Sequence, residues 1–118
     1  MATIELNALE EISGFQAGAL VDLESGFALA KVGGGIDLEL AAAGNSEVYK
    51  AKLNVAEKLG LKEDIEDILI SMRSSYHLIR PLQNKTNYFL YLVLNRKKAN
   101  LAMARHDLKT LEESLDFS

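Results

Sequence analysis

Apolar residues along the chain change their spacing in a definite order, and each change predicts an element. Ile4, Leu6, Leu9 and Ile12 recur close to helical spacing with Glu5, Glu10 and Glu11 between them, which predicts a short amphipathic helix. Gly14 follows at a position where a positive φ would end that helix. Ala17 to Leu23 then reads as a strand of small and apolar residues, Glu24-Ser25-Gly26 as a hairpin turn, and Phe27 to Val32 as the returning strand. Gly33-Gly34-Gly35 separate this hairpin from a long helix that Asp37 can cap and that runs to about Leu59, where Gly60 supplies a stop. In the next strand Ile68, Ile70 and Met72 alternate with Leu69, Ser71 and Arg73. Tyr76 to Leu82 forms a further strand, and the polar turn Asn84 to Asn87 leads into Tyr88 to Leu94. That last strand carries no charge on either face and is predicted to be central and covered on both sides. Leu101, Ala104, Leu108, Leu111 and Leu115 define a final helix, with Arg105, Lys109, Glu112 and Glu113 expected outward.

The long helix is more apolar than one packed face requires. Ala41, Val48, Ala51, Val55 and Leu59 make one stripe, and Ala42, Tyr49, Leu53 and Ala56 extend it around the helix by about 100°. One sheet covers only part of that arc, so the remainder is either partly solvated or packed on another chain.

Composition narrows the chemistry. A chain of 118 residues suits one domain, expected over residues 1–118, and its 48% hydrophobic and 25% charged residues are a globular balance. The net charge of −4 offers no global attraction to nucleic acid, and the short run Arg96-Lys97-Lys98 reads as a strand-end cap or a solubilised sheet edge. With no cysteine there is no thiolate chemistry. The N-terminus lacks the pattern of a signal peptide and no stretch has the length of a membrane span, so a cytoplasmic location without membrane insertion is expected. Gly33-Gly34-Gly35 is not followed by the lysine and Ser/Thr of a phosphate loop and reads as a flexible connection. His77 and His106 stand outside any metal-ligand spacing and are expected on an outward strand face and a polar helix face. Glu63, Asp64, Glu66 and Asp67 lack the alternation of a calcium loop and read as a solvated negative patch. Neither an enzyme activity nor a cofactor or metal is expected.

Taken in order, Leu9 to Gly14, Gly18-Ala19-Leu20-Val21-Asp22 with Ser25-Gly26, Ile68-Leu69-Ile70, Tyr76 to Leu82, and Ala99 to Arg105 with Leu108 and Leu111 resemble the roadblock family, which includes dynein light chains of the roadblock type. The likeness spans roughly residues 4 to 115. It implies an α+β fold in the order α-β-β-α-β-β-β-α, with a five-stranded antiparallel sheet, the long second helix on one face and the terminal helices on the other. It further implies a homodimer joined through the third strands while the long helices pack together, which would cover the surplus apolar arc. On this chain that interface falls on Tyr49, Leu53, Ala56, Asp67, Ile68, Leu69, Ile70 and Ser71, with Lys50, Asn54 and Lys58 as a surface for a further partner.

Family members are non-catalytic scaffolds or adaptors, and several prokaryotic ones regulate small Ras-like GTPases, including in gliding motility. The resemblance thus implies a dimeric interaction protein, a regulator or scaffold of such a GTPase in signalling, polarity or motility. Arg73-Ser74-Ser75 stands where a glycine is common in the family, and Gly44-Asn45-Ser46 is expected to interrupt the long helix. The alternative is a ligand-binding sensory module of the profilin-like type, with a pocket between sheet and long helix.

Overall fold

The computed structural model describes residues 4–115. A short 3₁₀ helix at Asn7–Glu11 precedes β1 (Phe15–Asp22), β2 (Ala28–Gly33), α1 (Leu38–Lys58), β3 (Ile68–Ser71), β4 (Ser75–Pro81), β5 (Tyr88–Asn95) and α2 (Leu101–Ser114). All strand pairings are antiparallel, in the order β2-β1-β5-β4-β3. The uncharged strand β5 takes the centre, as its sequence predicts. Phe89, Tyr91 and Val93 face the α1 layer while Leu90, Leu92 and Leu94 face the 3₁₀ helix and α2, and all six are buried. Among the described residues no helix is long and apolar enough to cross a membrane.

The first element is tighter than predicted. Leu6, Leu9 and Ile12 are three residues apart, and the bonds Leu9 N–H to Leu6 O (2.9 Å) and Ile12 N–H to Leu9 O (3.0 Å) close 3₁₀ turns. This spacing stacks the three side chains on one side, in the core cluster that also holds Leu92 and Leu108. Gly18 of β1 leaves room for Leu9, since a Cβ there would sit 2.7 Å from the Leu9 methyl.

The long helix begins and ends where its sequence signals place it. Asp37 accepts a bond from Leu40 N–H at 3.1 Å. At the other end Gly60, with φ +71°, lets Gly60 N–H reach Glu57 O and Leu61 N–H reach Ala56 O, a Schellman ending. The expected interruption at Gly44-Asn45-Ser46 is absent. Asn45 Nδ2 donates to Ala41 O and Ser46 Oγ to Ala42 O, each at 2.8 Å, so both polar side chains turn back onto the helix and α1 stays continuous. The residues buried against the sheet are Leu38, Ala42, Ser46 and Tyr49, a single stripe at steps of four and three. Val48, Val55 and Leu59 of the other stripe are 40%, 45% and 65% exposed.

The glycine run is also more than a flexible link. Gly33 is the last residue of β2 with φ +82°, and a Cβ there would lie 2.2 Å from Gln16 O. Only glycine lets β2 leave the sheet along this path.

A candidate interaction surface

β3 is an edge strand, hydrogen-bonded to β4 alone. Met72 N–H donates to Ser75 O at 2.8 Å and closes a two-residue turn at Arg73-Ser74. Because antiparallel bonding alternates, Met72, Ile70 and Ile68 turn their backbone groups toward β4, and Leu69 and Ser71 present theirs to the open side. Ile68, Leu69 and Ile70 are half-buried and Ser71 is exposed. Both ends of the strand are anchored. At its start Arg105 on α2 grips Asp67 through two hydrogen bonds of 2.9 and 3.2 Å, and the bonding to Asp67 raises the guanidinium pKa further. At its end Arg96 donates from Nη1 to Met72 O (3.1 Å), gives its backbone N–H to Ser74 O (3.0 Å) and lies 5.0 Å over the Tyr76 ring.

The helix side of the predicted interface divides. Tyr49 is 3% exposed, its ring set edge-on to Phe89 with centroids 6.0 Å apart, and burial raises its phenol pKa. It therefore serves this chain's own core before any partner. Leu53 is 39% exposed and Ala56 half-buried, and with Tyr49 they line a cleft of about 780 Å³. The opposite wall comes from Ile65, Pro81 and Leu82, and Arg80, Arg105 and Lys109 also border it. So the structure brings Tyr49, Leu53 and Ala56 together, next to Glu63 to Glu66 leading into β3, but the β3 residues themselves lie outside the cleft. Lys50 is 3.7 Å from Glu47, while Asn54 and Lys58 are exposed on the same helix.

Three polar arrangements correct the sequence reading. Glu112 and Arg105 do not simply point into water. Glu112 accepts from Arg80 Nε at 3.1 Å and from Gln83 N–H at 2.7 Å, with the Arg80 and Glu112 side chains only 10% and 12% exposed. Asp67 likewise leaves the acidic patch to hold Arg105. His77 faces the α1 layer rather than open solvent, with Nδ1 2.7 Å from the Tyr91 hydroxyl. Burial lowers the His77 pKa. It raises that of Tyr91, against which a hydrogen bond with Asn45 acts. These pairs join residues 14 to 38 positions apart, and no local pattern announces them. Among the described residues no three His, Asp or Glu side chains cluster closely enough to hold a metal ion.

Neither the sequence patterns of known families nor the sequences of curated proteins match this chain. Solved structures do. A roadblock/LC7 domain from Streptomyces avermitilis superposes with a TM-score of 0.79 at 14% identity, over 92% of this chain and 88% of that one. The gliding protein MglB of Thermus thermophilus gives 0.69 at 18% identity, over 97% and 98%. A structure of MglB with a tetrameric arrangement gives 0.69 at 17%, again over 97% and 98%. With the element order, the central β5 and the two helical layers already in place, these superpositions show that this chain has the roadblock/LC7 fold.

Proposed function

We propose that this chain is a non-catalytic interaction protein of the cytoplasm that works as a homodimer. Its β3 edges and the outward flanks of α1 join two copies, and the composite surface of the two long helices binds and regulates a small Ras-like GTPase. The observation that carries this reading is the second half of α1. Beyond Tyr49 no residue of the helix is buried, yet Leu53 and Val55 on it and Leu59 at its C-cap are 39%, 45% and 65% exposed, and the sheet also ends in an edge strand of three large apolar residues. The tetrameric arrangement described for MglB supports association as a habit of this fold.

The arginines indicate how regulation would work. Arg80 is held by Glu112, Arg105 by Asp67, and Arg96 by Met72 O and the Tyr76 ring, so none of these three is free to enter a neighbour's nucleotide site. Arg73 is exposed, but it stands in the tight two-residue turn after β3, at the edge that the dimer itself would use, and not on a long loop. A GTPase would instead be stimulated by ordering its switch loops against Lys50, Asn54 and Lys58 of the paired helices. Sedimentation from 1 to 100 μM (about the range where a dimer of ordinary affinity dissociates) tests the dimer, and a monomer throughout overturns it. With a GTPase partner in hand, changing each arginine singly to alanine should leave stimulation within a few-fold in a protein that remains dimeric. A loss of about 1,000-fold from one such change would establish an arginine finger and refute switch ordering.

A second reading is favoured by the cleft beside Tyr49, whose volume of about 780 Å³ lies in the range of small-molecule sites. A sensory module would bind its ligand there, between long helix and sheet, and thermal stabilisation by a metabolite panel together with protection of Leu53 would support it.

A further inference from the structure

The charges flanking β3 are of opposite sign at its two ends. Glu63, Asp64, Glu66 and Asp67 precede the strand, and Arg73 follows it in the two-residue turn. Arg73 is exposed and makes no hydrogen bond or ion pair among the described residues. Asp67 is neutralised by Arg105, but Glu63, Asp64 and Glu66 are exposed. The edge is therefore a short apolar run with a negative head and a positive tail.

A pattern of that kind is complementary to itself in one direction only. Laid antiparallel, two copies bring head to tail at both ends; laid parallel, they set acid against acid. The fold restricts the pairing further. If both α1 helices are to share one face of the joined sheet, the two-fold axis stands perpendicular to that sheet, and residues directly opposite each other have the same parity. The open backbone groups of Leu69 and Ser71 then allow two close registers. Centred on Leu69, the pairing sets Asp67 across from the partner subunit's Ser71; centred on Ile70, it sets Leu69 there. In both, the turn that carries Arg73 continues past the end of the strand toward the segment that carries Asp64 and Glu66.

We infer that Arg73 and the acidic segment at Asp64 and Glu66 form a reciprocal clasp between two copies of this chain, which selects the antiparallel edge-to-edge pairing of β3. The inference rests on the dimer proposed above and adds the residues that orient it. Arg96 contributes by fixing the turn on which Arg73 stands, through its bonds to Met72 O and Ser74 O. The exposure of Arg73, Asp64 and Glu66 makes their replacement compatible with folding.

A charge swap tests the clasp. Arg73→Glu alone should weaken self-association about tenfold, because two attractions become two repulsions. The double variant Asp64→Lys/Glu66→Lys should do the same. Mixed in equal amounts, the two variants should form a heterodimer within about threefold of the wild-type Kd, since each head then meets a tail of opposite sign. A wild-type dimer whose Kd neither variant changes, or a mixture no tighter than its separate parts, overturns the clasp and leaves the dimer standing. A wild-type chain that sediments as a monomer overturns the dimer itself, and the clasp with it.

Discussion

The two helices lie on opposite faces of one sheet and are held in different ways. α2 has 14 residues, buries Ala104, Leu108 and Leu111, and adds ion pairs to β4 and to the start of β3, of which Arg80–Glu112 is almost wholly sheltered from water. α1 has 21 residues and buries Leu38, Ala42, Ser46 and Tyr49, all in its first 12 positions. Its ion pairs, Lys31–Glu39 and Lys50–Glu47, lie in solvent, where each contributes at most about 1 kcal/mol. α2 thus belongs to the stability of the single chain. The distal half of α1 adds little there, and its apolar side chains stay exposed, the surface that the proposed dimer would cover.

The largest expected effect is on the α2 side. Leu108→Ala removes a 1% exposed side chain and should cost about 4 kcal/mol in chemical denaturation, whereas Val55→Ala, at 45% exposure, should stay within about 0.5 kcal/mol at concentrations where the chain is monomeric. Equal costs would break the contrast between the helices. Next in size, Glu112→Ala should cost about 3 kcal/mol, because it leaves the Arg80 guanidinium sheltered without its carboxylate and the Gln83 N–H without its acceptor. Its control, Lys31→Ala, should cost under about 1 kcal/mol.

Leu53→Asp should leave the urea midpoint of the dilute protein nearly unchanged while raising the dimer Kd about 100-fold, as read by sedimentation. Loss of the fold instead would place Leu53 with the core. The smallest effect concerns His77. Its folded pKa lies below the usual value near 6.5, so the unfolded chain takes up a proton first as pH falls. Stability should therefore be fully present above that value, decline as pH drops from it toward the lowered folded pKa, and level off below. His77→Gln should flatten this slope without altering the α2 variants' costs.

Much of the architecture is legible in local pattern because local physics sets it. Asp37 and Gly60 bound α1 through hydrogen bonds to residues three to five positions away, and a run of strand length, rich in aromatic residues and without charge, fits a strand with both faces covered. The spacing of Leu6, Leu9 and Ile12 suits 3₁₀ turns as well as a short α-helix, and over five residues a period of 3.0 is hard to separate from 3.6. The cleft and the polar pairs are a different matter. Arg80 and Glu112 are 32 positions apart, and Asp67 and Arg105 are 38 apart. Glu112 lies at a polar position of an amphipathic helix and reads as solvated until β4 is known to pass beneath it.

By itself the amino-acid sequence determined the order of elements, the central place of β5 and the excess of apolar surface on the long helix, since each follows from periodicity within a few turns of chain. Only the tertiary structure decided which stripe of that helix goes inside. Two apolar stripes about 100° apart are equivalent to a helix considered alone. The choice is made by the sheet, where Phe89 lies across from Val21 of β1 and the Tyr49 ring is buried edge-on against it, while Val48 and Val55 are turned to the surface.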